Sequence, residues 1–302
     1  MKRTMKRGRG LLVFVLGGML MLGACAAATS DSSPDAESQT PAGKRDNHPG
    51  AQARTPRGAL KIKSAAPEKQ TPDLSGGSEK KTRDPKPMTL AELRSKYPST
   101  FLLQGPAGSG KVALTFDDAP DKTYTPMVLD ALKKAGIQAT FFVVGNRIEA
   151  HPYVMRRIVA EGHVVGNHSY SHANLPKLSD KRFREEITRT DKLIKQYTGY
   201  TPTYVRPPYG NINESQLQWL ASQHRKIINW NVDSLDWKGL SADEVATNVL
   251  ADSKPGAIIL QHSGGGVGED LSGTVKALPR IIARLREEGV GFATIPGLLG
   301  LP

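Results

Sequence analysis

The 302-residue chain holds 41 Lys and Arg against 29 Asp and Glu, and 38% of it is hydrophobic, enough to bury a core and to exclude wholesale disorder. Its one cysteine excludes an intramolecular disulfide framework and a cysteine-based zinc cluster. The net charge of +12 divides into +5 over residues 1–25, +4 over 26–100 and only +3 over 101–302, so the foldable part has no basic footprint for nucleic acid.

The chain opens on MKRTMKRGRG, a cationic stretch ahead of an apolar run of twelve from Leu11 to Leu22. That run is shorter than the ~20 residues needed to cross a hydrocarbon core, and it has the pattern of a secretory leader. It ends in Leu22-Gly23-Ala24-Cys25, which resembles a bacterial lipobox, where small residues precede a cysteine that becomes the lipidated first residue of the mature protein. Residues 1–24 are therefore expected to be a lipoprotein signal peptide, with Cys25 carrying two or more acyl chains, because one chain alone holds a membrane only marginally. Residues 25–87 are rich in Ser, Thr, Pro, Ala, Gly and Lys and nearly lack large apolar residues, which predicts a disordered tether. Order is expected from Thr89-Leu90-Ala91-Glu92, a capping box opening a short helix to about Tyr97, and a single folded domain over 88–302.

Beyond residue 110, short apolar runs alternate with helical patterns. Strands are expected at 112–116, 138–144, 163–166, 203–206, 226–229, 257–260 and 292–295. Helices are expected through Val128 to Lys134 and at 152–161, 180–197, 214–222, 242–252 and 274–288. Seven strands with helices between them imply parallel βαβ units, in an open doubly wound sheet or a closed barrel. In a barrel, chemistry belongs on the loops after the strands' C-terminal ends.

Five polar clusters fall at such ends. Asp117-Asp118 closes the first strand, where adjacent carboxylates repel unless a cation separates their roles. His168-Ser169-Tyr170-Ser171-His172 carries two histidines at i, i+4, expected on one helical turn and close enough to share an ion; Asp118 completes a His-His-carboxylate set of the kind that leaves positions open for water and substrate. In Arg206-Pro207-Pro208-Tyr209-Gly210 an arginine on a stiffened loop can hold a carboxylate. Asp233-Ser234-Leu235-Asp236-Trp237 and Leu260-Gln261-His262 follow. His48, His151, His163 and His224 match none of these patterns and are assigned structural or tether positions.

In this order the five clusters resemble the polysaccharide deacetylases of the carbohydrate-esterase class, over roughly residues 88–302. Ala139-Thr140-Phe141-Phe142 and Gly166-Asn167-His168 add to the likeness. One departure is Ala119, where the family usually has glycine after the two aspartates. The resemblance implies a distorted (β/α) barrel of about seven parallel strands. It assigns Asp118, His168 and His172 to one divalent metal, zinc first with cobalt or another divalent ion as the alternative, and Asp117 to the catalytic base, oriented by Arg206. His262 becomes the proton donor with Asp236 as its partner and Asp233 as the alternative. The backbone N–H of Tyr209 would face the oxyanion, and Trp237 and Leu260 would wall the acetyl pocket. The implied reaction removes N-acetyl groups from cell-wall glycan, with peptidoglycan N-acetylglucosamine favoured because an exported, lipid-anchored enzyme at the outer face of a bacterial membrane meets that polymer first. N-acetylmuramic acid, chitooligosaccharide, O-acetylated xylan and a non-catalytic wall-binding module are the other readings, and no nucleic-acid partner is expected.

Overall fold

The structure is a computed structural model in which residues 70–79 and 87–301 are described. The expected leader, Cys25 and the expected tether at 25–69 and 80–86 lie outside the described residues. Among the described residues are nine strands, β1 (Phe101–Leu102), β2 (Lys111–Ala119), β3 (Thr140–Val143), β4 (Val164–Asn167), β5 (Tyr204–Val205), β6 (Lys226–Ile228), β7 (Val232–Asp233), β8 (Ile258–His262) and β9 (Gly291–Phe292). All pair in parallel, in the order β1-β6-β5-β4-β3-β2-β8-β7, with β9 beside the start of β2. The pairing path ends at β1 and β7, so the curled sheet is a distorted (β/α) barrel that does not close fully. Six of the seven expected strands are present in place; the seventh, expected at 292–295, is β9, which overlaps that range only at Phe292, and Ile295 already opens a helix. The two additional ones, β1 and β7, have two residues each, too few for a hydrophobic period to show.

Nine helices surround or plug this sheet among the described residues: α1 (Pro87–Lys96), α2 (Tyr124–Ala135), α3 (Gly145–Ala150), α4 (Pro152–Ala160), α5 (Asp180–Thr198), α6 (Glu214–Ser222), α7 (Ala242–Asp252), α8 (Ser272–Glu287) and α9 (Ile295–Leu299). Local signals explain their ends. Ser179 accepts from Arg182 N to start α5, and Gly199, at φ +81°, closes it in the left-handed conformation that suits glycine. Reciprocal capping boxes start α6 (Asn213, Gln216) and α7 (Ser241, Glu244). Helix α1 starts two residues before the expected capping box, and α3 was not expected at all, since six residues carry too little period.

Strand β2 shows how the layers divide. Its side chains alternate across the sheet. Val112, Leu114 and Phe116 join the main apolar cluster with Leu129 and Leu132 of α2 and Leu278, Ile281 and Leu285 of α8. Ala113, on the opposite face, packs with Phe142, Ile258 and, from α9, Ile295 and Leu298. Helix α9 thus fills one end of the barrel with apolar side chains. Thr115 and Asp117 share the face of Ala113, so the other end is left to polar groups.

Candidate active site

Alternation along a regular strand would send Asp117 and Asp118 to opposite faces. Strand β2 avoids this with an extra residue. Phe116 pairs with Phe141 and Ala119 with Val143, so three steps on β2 answer two on β3, and Asp118 takes a left-handed φ of +63°. Both carboxylates then reach the same pocket, 3% and 1% exposed. Ala119, the departure from the family pattern, is buried within the strand, and its carbonyl accepts from Val144 N, so the methyl group is accommodated.

The two histidines are not on a helical turn, contrary to the expectation from their spacing. His168 follows β4 directly, and the loop to His172 is irregular, with left-handed backbone at Ser169 (φ +65°) and His172 (φ +57°). Side chains replace the helical hydrogen bonds. Asn167 Oδ1 accepts from Ser169 N, Ser169 Oγ accepts from His172 N, and Glu186 of α5 accepts from Tyr170 N and Ser171 N. Both rings nevertheless converge on Asp118. Asp118 Oδ1 lies 3.6 Å from His168 Nε2 and 3.3 Å from His172 Nε2.

Partners on the far side of each ring fix which nitrogen carries the proton. His168 Nδ1 donates to Arg206 O at 2.6 Å, since a carbonyl only accepts. Tyr209 Oη donates to Gly77 O at 2.7 Å and so accepts from His172 Nδ1 at 3.1 Å. In both rings the Nε2 lone pair therefore faces Asp118, the arrangement that metal-ligating histidines use. Burial, with the positive charge of Arg147 adding to it, pushes His172 well below the ordinary imidazole pKa, which keeps it neutral. Burial pushes the Asp118 carboxyl up, against the pull of Arg147 and His262. Both Asp118 oxygens and the two Nε2 atoms are buried without hydrogen-bond partners. One ligand atom from each of the three residues lies within 4.8 Å of the others. Orphaned polar atoms of this kind are costly unless something binds them, and a divalent cation fits an N, N, O donor set.

Arg206 is fully buried and lies beside this cluster. It donates from Nη1 to Asp117 Oδ1 at 2.7 Å and to Thr115 Oγ1 at 2.8 Å, and from Nε to Ile228 O at 2.8 Å. Its guanidinium carbon sits 4.2 Å from the centre of the Phe142 ring. Asp117 Oδ2 is turned toward His168 Nε2, 3.5 Å away.

On the opposite side, His262 is the register partner of Asp117 across β2 and β8. Its Nδ1 lies 2.7 Å from Asp236 Oδ1, while Asp236 Oδ2 accepts from His262 N and Thr274 Oγ1. Asp233 instead accepts from Leu235 N within its own loop. Burial alone would lower the His262 pKa, but the Asp236 charge and hydrogen bond outweigh it and hold it at about 10. Asp236 is held below the ordinary carboxylate value, burial opposing and His262 prevailing. Leu260 shares the His262 face of β8, and half-buried Trp237 follows Asp236 in a short helical turn. His163, set aside in the sequence, accepts from Ala139 N, and burial lowers its pKa to about 4.

Two site neighbours carried no sequence signal. Arg147 of α3 is 1% exposed and donates to Asp118 O at 2.8 Å and to Gly265 O, fixing the turn that carries the metal-facing carboxylate. Residues 70–79, tether by composition, lie against the His168–His172 loop: Ser75 N donates to Ser171 O and Gly76 N to His172 O.

Comparison with known proteins agrees with this geometry. The polysaccharide deacetylase family model matches residues 104–226. A peptidoglycan-N-acetylglucosamine deacetylase of Bacillus cereus is 46% identical over 203 residues, 67% of this chain and 72% of that protein. The peptidoglycan-N-acetylmuramic acid deacetylase PdaC of Bacillus subtilis is 38% identical, over 62% of this chain and 38% of that longer protein. The crystal structure of the Bc1960 peptidoglycan N-acetylglucosamine deacetylase, in complex with a naphthalenyl N-oxidanyl-benzamide, superposes with a TM-score of 0.67 at 44% identity, covering 70% of this chain and 97% of that one. With the barrel, the Asp-His-His cluster and these similarities in agreement, the chain belongs to the polysaccharide deacetylase family.

Proposed function

We propose that the protein hydrolyses N-acetyl groups of peptidoglycan N-acetylglucosamine, releasing acetate and leaving a free amine on the glycan. The observation that carries this is the pairing of two oppositely prepared groups across one site, a carboxylate held by Arg206 and an imidazolium held by Asp236, with Asp118, His168 and His172 between them. These three would hold a divalent cation, zinc or cobalt. When bound, such an ion supplies a Lewis acid that lowers the pKa of water and polarises a carbonyl oxygen. Asp117, aimed by Arg206, takes a proton from the water that attacks the acetyl carbon. The backbone N–H of Tyr209 is the donor offered to the developing oxyanion. His262 gives its proton to the departing nitrogen as the C–N bond breaks. Trp237 and Leu260 bound the space for the acetyl methyl group.

The substrate is inferred from the relatives and from the leader. A lipid on Cys25 would hold the enzyme at the outer face of the bacterial membrane, against the wall polymer. N-acetylmuramic acid is the second reading, favoured by the likeness to the Bacillus subtilis relative. Mass spectrometry of muropeptides from cells with and without the gene tests both: acetyl should be missing from the N-acetylglucosamine of the wild type. In vitro, a chelator should abolish hydrolysis and zinc or cobalt restore it. Full activity in metal-free protein sinks the proposal.

A further inference from the structure

Residues 70–79 span the site from one wall to the other. On one side lie the bonds from Ser75 and Gly76 to the metal-facing loop and the bond from Tyr209 Oη to Gly77 O. On the other, Val267 N donates to Asp73 Oδ1 at 3.3 Å, and Ser78 Cβ approaches to 3.1 Å of where a Cβ on Gly266 would stand. A Cβ at Gly76 would meet Tyr209 Oη at 2.3 Å and His172 O at 2.6 Å, so the segment comes this close only because Gly76 has no side chain. Leu74 and Glu79 are 3% and 4% exposed, in a stretch whose composition alone predicts full solvation. Glu79 Oε1 lies 3.7 Å from His172 Nε2, and its charge is felt by His262 as well. A side-chain carboxylate 3.7 Å from a metal-facing imidazole presents the same functional group as acetate. The site residues Asp117, Asp118, His168, His172 and His262 are at most 3% exposed in this arrangement, whereas a polymeric substrate needs them open.

We propose that residues 70–79 form an intramolecular strap that seats the Glu79 carboxylate in the acetate position of the site, where it competes with the acetyl group of substrate. The inference rests on the metal-dependent deacetylase reading above. The strap is an internal carboxylate ligand that must be displaced before each encounter with glycan. A site open in one molecule of ten binds an outside carboxylate ~10-fold more weakly than one that is always open.

The test uses the full mature chain loaded with cobalt, whose visible absorption is titrated with acetate, and turnover on an N-acetylated chitooligosaccharide. In Glu79→Gln the half-saturating acetate concentration should fall ~10-fold and kcat/KM should rise by a similar factor. Gly76→Val keeps the carboxylate but obstructs its seating, and should shift the acetate titration in the same direction. An acetate titration unchanged in both variants overturns the proposal. A Glu79→Gln protein that no longer holds cobalt makes Glu79 a permanent ligand and overturns it equally. If the wild type hydrolyses no N-acetylated sugar, the proposed function fails, and the acetate titration still decides the strap.

Discussion

Asp118, Ser169, His172, Tyr209 and Leu235 all hold left-handed backbone, and each belongs to one of the five motif clusters. For a non-glycine residue this costs ~1–3 kcal/mol and persists only where surrounding bonds over-determine the loop. Here Arg147 on the Asp118 carbonyl and Glu186 on the 170–171 amides supply that constraint. The neighbouring aspartates make the sharpest test of role. Asp118→Asn should lose both metal and turnover, because a neutral amide is the weaker ligand. Asp117→Asn should keep its metal and lose the proton acceptor, a fall of roughly 10²–10⁴ in rate. Metal content measured beside turnover separates them, and a metal-free Asp117→Asn protein would require the roles to be reassigned. His262 provides the pH signature. Its pKa is raised from the ordinary 6.5 to about 10, so the stability it contributes is fully present below ~6.5 and is lost as pH rises through about 10. Turnover that needs its proton should likewise fail on the alkaline side. Asp236→Asn removes the charge that raises this pKa, and the alkaline limb of the pH–rate profile should move to lower pH with metal retained. Breaking a buried pair costs about 3–5 kcal/mol, so thermal unfolding should be followed alongside. An alkaline limb that stays in place would exclude His262 as the titrating donor.

At the scale of elements, strand β4 connects packing to catalysis. Gly166 pairs with Phe142 of β3, and a Cβ there would stand 2.5 Å from the Phe142 ring, on which Arg206 lies. Gly166→Ala should therefore overpack this layer, lower stability by ~1–3 kcal/mol and displace the Arg206 that aims Asp117. Circular dichroism melting and turnover should fall together, and an unchanged kcat would mean that Phe142 does not position the arginine. Six strands were legible because Val, Ile and Phe runs alternate with periodic helices, and the chemical clusters were legible because each follows such a run. The geometry that makes the clusters work was not. The bulge at Asp117-Asp118 depends on pairing with β3, and the irregular loop from His168 to His172 depends on Glu186, a residue of α5 fourteen positions beyond His172. The i, i+4 spacing suggested a helix because periodicity cannot see such side-chain anchors. Arg147 gave no signal, being a cation in a short helix whose partners are backbone carbonyls of residues 118 and 265. Glu79 was hidden because its neighbours have the composition of a solvated linker.

Across the whole molecule, charge and lipid make separable claims about attachment. Removal of residues 1–24 would take five Lys and Arg with it and lower the net charge from +12 to +7, with only +3 on residues 101–302. Juxtamembrane Lys and Arg contribute ~1 kcal/mol each near an anionic surface, and salt screens that attraction over a Debye length of ~8–10 Å. Acyl chains contribute ~0.8 kcal/mol per buried CH₂, and two of them hold a protein on a bilayer irrespective of salt. Wild-type protein should therefore stay with the membrane fraction through a high-salt wash and leave it only with detergent. Cys25 is the one cysteine of the sequence, so Cys25→Ala would remove the acceptor that a lipobox lipid requires. That variant should appear in the medium or retain its leader, with deacetylase activity per molecule unchanged, because residue 25 is not among the residues assigned to the site. Release of the wild type by salt alone would mean that charge, and not lipid, holds it. A Cys25→Ala protein that matures and fractionates like the wild type would make the leader an ordinary secretory signal.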